Sequence, residues 1–481
     1  MSSDITQLER LLHTAYEAAI SYYKRLDDSS VSATVDADAL RGRFGRQLAR
    51  QGTSPEQVIR DLLADVDGGL MSSAGGRFFA WVIGGTLPAA LAADWLTAVW
   101  NQNAALYACS PAAAVAEEIA GGWLKEILHL PESASFALVS GCQMAHLTCL
   151  AAARHAVLAK RGYDCELQGL WGVSPVRLLV NGRCHGSIER AVRMLGLGAS
   201  HIVRLATDET GHVLPGSLQQ ALEHEPGSPT IVILQAGEIN SGACDPFEEL
   251  IPIAKRHDAW VHVDGAFGLW AAASPAYKHL VSGVELADSW ATDGHKWLNV
   301  PFDCGYAFVA HSEAHRAAMS HRAPYISASQ SARDQIDWNP EWSRRARGFP
   351  TYAAIRQLGR DGIADMVERC CLHASSLVAQ IGRLPGAEVV CSPTLNQGLV
   401  RFPATYPGAG EADHAKHTEE VIAAVAKSGE AFFSSSEWNG KRVTRVSVCN
   451  WQTCDEDVAR AVQAVEHALA TSDFPLGQLP S

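Results

Sequence analysis

The sequence has 481 residues, enough for more than one hydrophobic core, and 47% of them are apolar against 19% charged, which predicts a folded globular protein. Acidic residues outnumber basic ones by 52 to 39, so the formal net charge of −13 argues against nucleic acid as a partner. The longest apolar stretch, 78–96, is interrupted by glycines, a proline and an aspartate, so no membrane span is expected.

The cysteines and the N-terminus indicate a cellular compartment. Twelve cysteines are scattered without paired C-x-x-C spacing, which fits neither a zinc ribbon nor a disulfide framework. Residues 1–10 are polar, and no basic segment leads into an apolar one, so no secretion signal is expected. Free thiols in a reducing cytoplasm are the simpler interpretation.

Three regions follow one another along the chain. Residues 1–105 are predicted to form an N-terminal helical arm, because apolar residues recur there at helical spacing. In 106–375 short apolar strands alternate with amphipathic helices, which predicts an α/β domain around a mostly parallel sheet. Residues 376–481 are predicted to form a smaller α+β domain. The strands predicted for the large domain are 136–139, 176–180, 201–204, 230–235, 260–264 and 304–309.

The most informative segment is WATDGHKWLNV, in which Lys296 stands between His295 and Trp297. A lysine held among such side chains is desolvated, which lowers its pKa and frees the neutral amine to form an imine with an aldehyde. The alternative is a surface lysine whose aliphatic stem lies along apolar neighbours.

Asp264 ends an apolar strand in WVHVDGAFG, and a carboxylate in that position needs a partner. A pyridinium nitrogen supplies one, because the aspartate keeps the ring protonated and able to accept electrons from a breaking bond at the substrate Cα. A metal site on His262 and Asp264 is the weaker alternative, since no further ligand motif completes it. We therefore expect no metal.

Two further segments fit a flat phosphorylated ligand. His185 follows a predicted strand and precedes a helix, which places it at the sheet edge where open α/β folds bind ligands. A lone histidine is more often structural, and only the company of Asp264 and Lys296 favours stacking on a ring. In LVSGCQMAH, the backbone N–H groups of Gly141, Cys142 and Gln143 would suit a phosphate at a helix start.

Taken in order, these segments resemble the group II pyridoxal-phosphate decarboxylases, the fold-type-I family of glutamate and aromatic amino-acid decarboxylases. The likeness runs from about residue 78 to 451 and is closest to a bacterial branch in 235–247 and 343–354. It implies an α/β fold with a mostly parallel or mixed seven-stranded sheet flanked by helices. It also implies a homodimer with the active site between subunits.

The resemblance assigns roles to individual residues around pyridoxal 5'-phosphate (PLP). Lys296 would form the internal aldimine, Asp264 would pair with the ring nitrogen, His185 would stack on the ring, and Ala266 would pack on its opposite face. The phosphate would be lined by Cys142, Gln143, Asp293 and His295. Near the substrate, the resemblance places the N-terminal residues Phe79 and Trp81.

The chain departs from the family pattern close to the site. Cys142 and Gln143 replace a small residue and a Ser or Thr, and His146 replaces a common Asn. Glu238 stands where a neutral residue is usual, which predicts an acid or a cation-binding group near the substrate. Trp338 is the approximate counterpart of a tyrosine that reprotonates the quinonoid in aromatic amino-acid decarboxylases, and indole is no useful acid.

The leading hypothesis is a PLP-dependent decarboxylase of an α-amino acid or amino-acid conjugate. The alternative is a diverged enzyme of specialised metabolism, such as antibiotic biosynthesis, that resembles the sulfur-tailoring enzymes of lincosamide pathways. It would release an aldehyde by oxidative deamination, or a thiol by β-elimination from a cysteine conjugate. A non-catalytic scaffold is a third hypothesis, and the retention of Lys296, Asp264 and His185 argues against it.

Overall fold

The computed structural model describes residues 2–321 and 332–471. The N-terminal region is helical, and polar caps start two of its helices. The Asp36 side chain accepts a hydrogen bond from the Ala39 amide, and Ser54 accepts one from Gln57 just before a proline. The helices are α1 (Ser2–Arg25), α2 (Ala37–Phe44), α3 (Pro55–Asp65) and α4 (Pro88–Trp100).

The large domain is built on a seven-stranded mixed sheet, as predicted. Its strands are β1 (Ser135–Val139), β2 (Arg177–Asn181), β3 (Ile202–Leu205), β4 (Thr230–Gln235), β5 (Trp260–Asp264), β6 (Ser289–Asp293) and β7 (Gly305–Val309). The spatial order is β1-β7-β6-β5-β4-β2-β3, with β7 antiparallel to both of its neighbours and the other pairs parallel. The sequence prediction missed β6.

Helices cover both faces of this sheet, which explains why its central strands are apolar on both sides. On β4, Ile231 and Ile233 join one hydrophobic core, whereas Val232 and Leu234 join the other. The helices of this domain are α5 (Pro111–Ile127), α6 (Cys142–Ala159), α7 (Cys165–Gln168), α8 (Gly186–Met194), α9 (Pro215–His224), α10 (Phe247–Arg256) and α11 (Ser312–Met319).

The C-terminal region is a four-stranded antiparallel sheet with helices. Its strands are β8 (Glu388–Cys391), β9 (Gln397–Arg401), β10 (Ser434–Trp438) and β11 (Lys441–Ser447), in the order β10-β11-β9-β8. Its helices are α12 (Gly348–Ile381), which is interrupted at Gly359, α13 (Glu411–Ser428) and α14 (Asp455–Thr471). The three-part division of the chain stays a prediction, and its boundary after residue 375 falls inside α12.

The segment between α3 and α4 joins distant parts of the chain. The buried Arg77 guanidinium donates to four carbonyl oxygens, two of them at Gly429 and Glu430 next to the small sheet. A few residues later, the Gly84 amide donates to the carbonyl oxygen of His295 at 3.3 Å. The arm therefore packs directly behind the predicted lysine. Within the described residues, no helix has both the length and the apolar content needed to cross a bilayer.

Candidate active site

Three neighbouring parallel strands end at the same edge of the large sheet: β4 at Gln235, β5 at Asp264 and β6 at Asp293. A cavity of about 480 Å³ opens there, where ligands bind in open α/β folds. It is lined by all nine residues that the sequence analysis assigns to the cofactor: Gly141, Cys142, Gln143, His185, Asp264, Ala266, Asp293, His295 and Lys296.

Lys296 lies three residues after β6, and its Nζ atom is 3.2 Å from Oδ2 of Asp293. Burial lowers the pKa of Lys296, but the carboxylates of Asp293 and Asp264 outweigh it and the net pKa is raised. The sequence argument that desolvation frees the neutral amine is therefore wrong for the chain without its ligand. The ammonium form is stabilised, because the fold supplies an anion that the local sequence did not reveal.

Asp293 joins the lysine to the start of α6. Its Oδ1 atom accepts a hydrogen bond from the Cys142 amide at 2.6 Å and lies 3.6 Å from Nε2 of His295. His295 accepts the Cys304 amide at Nδ1, so its proton is on Nε2 and faces the carboxylate. Burial lowers the pKa of His295, and its ring stacks on Phe302 with 4.3 Å between centroids.

The turn from β1 into α6 has the properties of an anion site. Gly141 lies in extended backbone, and a Cβ atom there would be 3.1 Å from the His295 ring, so the turn admits no larger residue without a shift. The turn opens an 18-residue helix, whose amino end attracts negative charge. Within the described residues, the buried Nε2 atom of Gln143 has no hydrogen-bond partner. A phosphate fits here, because its oxygens would accept a hydrogen bond from the Nε2–H group of Gln143.

Asp264 is held ionised at the end of β5. Its Oδ1 atom accepts from the Ala266 amide at 3.1 Å, and its Oδ2 atom lies 3.5 Å from Nε2 of His146. Burial raises the pKa of Asp264, but His146, His185 and Lys296 together hold it below its usual value. A protonated ring nitrogen fits beside this carboxylate, because it would neutralise a buried charge.

His185 precedes α8 and presents its ring to the cavity. Its Nδ1 atom bonds to the Ser187 hydroxyl at 2.8 Å and accepts the Ser187 amide at 3.3 Å, which fixes the ring at the helix start. Burial lowers the pKa of His185, which favours its neutral form. A flat imidazole ring at the cavity suits stacking on a heteroaromatic group.

Two histidines behind Asp264 form a pair that the sequence did not reveal. His146 on α6 and His262 on β5 are fully buried, with 2.9 Å between their Nδ1 and Nε2 atoms. The other nitrogen of His262 bonds to Ser289 at 2.9 Å. Both nitrogens of His262 are thus engaged away from Asp264, so these two residues do not form the metal site considered as an alternative.

Glu238 does not face a substrate. Its buried carboxylate accepts hydrogen bonds from the amides of Asn240 and Ser241, at 2.8 and 2.7 Å, and from both of their side chains. The prediction of an acid near the substrate is therefore wrong, because the carboxylate closes its own turn. Its neighbours Gly237 and Ile239 line the cavity instead.

Three residues assigned to the substrate lie outside the cavity of their own chain. Phe79 is in the core and stacks on Phe433, since its backbone pairs with the small domain. Trp81 is half exposed, beside Phe432. Trp338 follows a short helical turn and packs against α11, where the centroid of its ring lies 5.4 Å from that of His315. The prediction that Trp338 stands for a proton-donating tyrosine therefore lacks support from the geometry.

Arg445 on β11 was not predicted. It is 8% exposed, and within the described residues its Nε atom has no hydrogen-bond partner. Burial lowers its pKa, and its charge acts on His185 and Glu238. A buried cation thus lies near the cavity. No local pattern marks it, because the small domain brings it there from the far end of the chain.

Comparisons with known proteins agree with this geometry. The pyridoxal-dependent decarboxylase conserved domain matches residues 40–405. An aromatic-L-amino-acid decarboxylase of Bacillus atrophaeus is 26% identical over 468 residues, covering 96% of this chain and 95% of the relative. A 4-hydroxyphenylacetaldehyde synthase of Rhodiola rosea is 24% identical, covering 90% of this chain and 88% of the relative.

A crystal structure of Oryza sativa TDC with PLP and tryptamine matches with a TM-score of 0.90 at 23% identity, covering 97% of this chain and 98% of that one. The two proteins therefore share a fold. The domain match spans most of the sequence, and its expected cofactor fits the lysine, the aspartate and the phosphate turn of one cavity. The chain belongs to the pyridoxal-dependent decarboxylase family and is a PLP-dependent amino-acid decarboxylase.

Proposed function

We propose that this decarboxylase acts on an aromatic L-amino acid and releases carbon dioxide and the amine. The observation that carries the proposal is the cavity at the sheet edge, where Lys296, Asp264 and His185 converge. Beyond the cofactor residues, Ile239 and Phe267 supply apolar wall that suits a flat side chain. Relatives named aromatic-L-amino-acid, tryptophan and tyrosine decarboxylases support this substrate class.

Each cofactor residue has a distinct task in this proposal. PLP would be held by Lys296, Asp264, His185 and the turn at Gly141, and when bound it supplies a protonated ring that takes up the electron pair released at the substrate Cα. Nζ of Lys296 would bond to the cofactor as the neutral amine, and Oδ2 of Asp293, 3.2 Å away, holds Nζ at the cavity. Asp264 holds the ring nitrogen protonated.

The α-carboxylate of the substrate needs a cation before it leaves. Arg445 is buried, and its charge acts on His185, which lines the cavity. A guanidinium in a dry site attracts a carboxylate strongly and has little attraction for neutral carbon dioxide. We propose that Arg445 attracts the α-carboxylate of the amino acid toward the cavity.

A second reaction is favoured by two relatives, 4-hydroxyphenylacetaldehyde synthase and phenylacetaldehyde synthase. It would consume oxygen and water with the amino acid and yield the aldehyde, carbon dioxide, ammonia and hydrogen peroxide. Trp338 no longer supports this alternative, because it does not line the cavity. Tyr325 stands between Lys296 and Trp338 in the sequence and offers a phenolic acid, but it lies outside the described residues.

A product assay separates these reactions. The holoenzyme is incubated with tryptophan, tyrosine, phenylalanine, glutamate and a cysteine conjugate, and carbon dioxide, amine, ammonia, peroxide and thiol are measured. Equal amounts of amine and carbon dioxide from an aromatic substrate support the proposal. Ammonia with peroxide supports the aldehyde reaction, and thiol without carbon dioxide supports β-elimination. Activity on glutamate alone would overturn the proposed substrate class.

A homodimer is part of the proposal. Helix α1 carries an exposed apolar stripe at helical spacing, in which Ile5, Leu8, Leu12 and Tyr16 are 66%, 54%, 48% and 51% exposed. Such a stripe favours burial against a second chain. Light scattering of the purified protein tests this, and a monomer at micromolar concentration would contradict it. The cytoplasmic location and the role in antibiotic biosynthesis stay predictions.

A further inference from the structure

A series of polar side chains in close contact runs behind Asp264, away from the cavity. Trp260 Nε1 donates to the Ser289 hydroxyl at 2.9 Å, and this hydroxyl lies 2.9 Å from Nδ1 of His262. Nε2 of His262 is 2.9 Å from Nδ1 of His146, and Nε2 of His146 is 3.5 Å from Oδ2 of Asp264. Four of these residues are less than 5% exposed: Trp260, Ser289, His262 and His146.

The charge on Asp264 sets the direction of the hydrogen bonds. Burial lowers the pKa of His262 to about 3, so His262 is neutral and has a single N–H. If that proton were on Nδ1, His146 would turn a bare nitrogen toward the Asp264 carboxylate, which is unfavourable. With the proton on Nε2, the Ser289 hydroxyl donates to His262, His262 donates to His146, and the Nε2–H group of His146 lies near the Asp264 carboxylate, 3.5 Å from Oδ2.

The groups around this series are few. Asp264 is faced by His146 from α6, by His185 from the start of α8 and by Lys296 after β6. His146 is faced by His262 from β5 and by the thiol of Cys142, whose sulfur lies 3.3 Å from its Nε2 atom. His185 and Lys296 border the cavity, whereas the histidine pair lies behind the carboxylate.

We propose that His146 is a positioning residue: held in one tautomer by His262 and Ser289, it directs an N–H at Asp264 and so keeps the shared proton on the ring nitrogen of bound PLP. A carboxylate that accepts a hydrogen bond is a weaker base, so the proton stays on the heterocycle. The inference rests on the pairing of Asp264 with the ring nitrogen, which is part of the proposed function.

The test is the ¹⁵N resonance of PLP labelled at its ring nitrogen and bound to the enzyme. In the wild type this resonance should lie where a protonated pyridine is found. His146→Leu should move it toward the unprotonated position, and His146→Gln, which keeps an N–H donor, should move it less. His262→Phe should give an intermediate shift, because His146 remains but its tautomer is no longer held.

The chain offers a matched control in His315. This histidine is also fully buried, lies 2.9 Å from a serine hydroxyl at Nδ1, and bonds through Nε2 to the Trp338 carbonyl oxygen at 2.9 Å. It does not line the cavity. His315→Leu therefore reproduces the loss of a buried histidine, and it should lower the melting temperature without moving the ¹⁵N resonance.

Kinetics provide a second readout. Because His146→Leu removes one interaction with a charged group, we expect kcat to fall roughly 10-fold to 100-fold and KM to change less. An unchanged resonance in His146→Leu, or an equal shift in His315→Leu, overturns the inference. If His146→Leu does not fold, an unchanged resonance in His262→Phe overturns it instead. An unchanged resonance in Asp264→Asn would show that the proposed pairing itself fails.

Discussion

The ion pair between Asp293 and Lys296 offers a direct test of how the lysine is controlled. Asp293→Asn keeps an oxygen that can accept the Cys142 amide but removes the charge 3.2 Å from Nζ of Lys296. Burial lowers the pKa of Lys296, and the Asp293 carboxylate is the largest effect that opposes it, so its loss lowers this pKa. We expect the pKa of Lys296 to fall in the variant.

The size of the change follows from the contact. A hydrogen bond to a charged group contributes about 1.5–3 kcal/mol, and about 1.4 kcal/mol is a factor of ten in an equilibrium, so the fraction of neutral amine should rise roughly 10-fold to 100-fold. The neutral amine is the nucleophile, and its fraction below the pKa rises about tenfold for each unit of decrease. Below that pKa, the variant should therefore bond to PLP roughly 10-fold to 100-fold faster.

Stopped-flow absorbance after mixing apoenzyme with saturating PLP, at fixed pH values between about pH 6 and pH 9, measures this rate below the raised pKa of Lys296. At each of these pH values the rate should be higher in Asp293→Asn than in the wild type. Asp288→Asn is the matched control, since Asp288 is also buried, accepts the Val261 amide at 2.7 Å and pairs with Lys255 outside the cavity. A rate in Asp293→Asn that is unchanged or lower would refute the reasoning.

Three further substitutions test contacts around the site. Gly84→Ala would place a Cβ atom too close to the Lys296 carbonyl oxygen. We expect the free energy of unfolding in urea to fall by about 1–3 kcal/mol and PLP to bind more weakly. Normal PLP binding would contradict this contact. Glu238→Ala should lower the free energy of unfolding by about 1–3 kcal/mol with little change in KM, because it removes the hydrogen bonds of the turn. A raised KM at full stability would show that Glu238 contacts the substrate. Trp338→Phe should lower the melting temperature and leave the ratio of amine to aldehyde unchanged, and an altered ratio would implicate the indole.

The strands of the large sheet show what local pattern can predict. β4 and β5 were found because their residues are buried on both faces and most are apolar. β6 was missed because Ser289, Thr292 and Asp293 are polar, although all three are buried in the fold. β10 was missed for a similar reason, since four of its five residues are Ser or Glu. Burial of polar residues depends on partners that the local sequence does not contain.

The site residues also fall into two groups, those that the local sequence predicts and those that depend on contacts between distant parts of the chain. The residues that the sequence assigns to the cofactor line one cavity, because parallel strands bring their carboxyl ends to one edge, and their role there stays a prediction. The pairing of His146 with His262 spans 116 positions and depends on the packing of α6 against β5. Glu238 was misplaced because sequence position does not show which way a carboxylate turns. Trp338 was misplaced because its distance along the chain from Lys296 says little about distance in space.

The central claim is that Nζ of Lys296 is the atom that bonds to PLP. Reduction of the holoenzyme with borohydride, followed by proteolysis and mass spectrometry, locates the attached lysine directly. We expect the reduced cofactor on Lys296 in the wild type and no such adduct in Lys296→Ala. An adduct on another lysine, or one that persists in Lys296→Ala, would contradict the account.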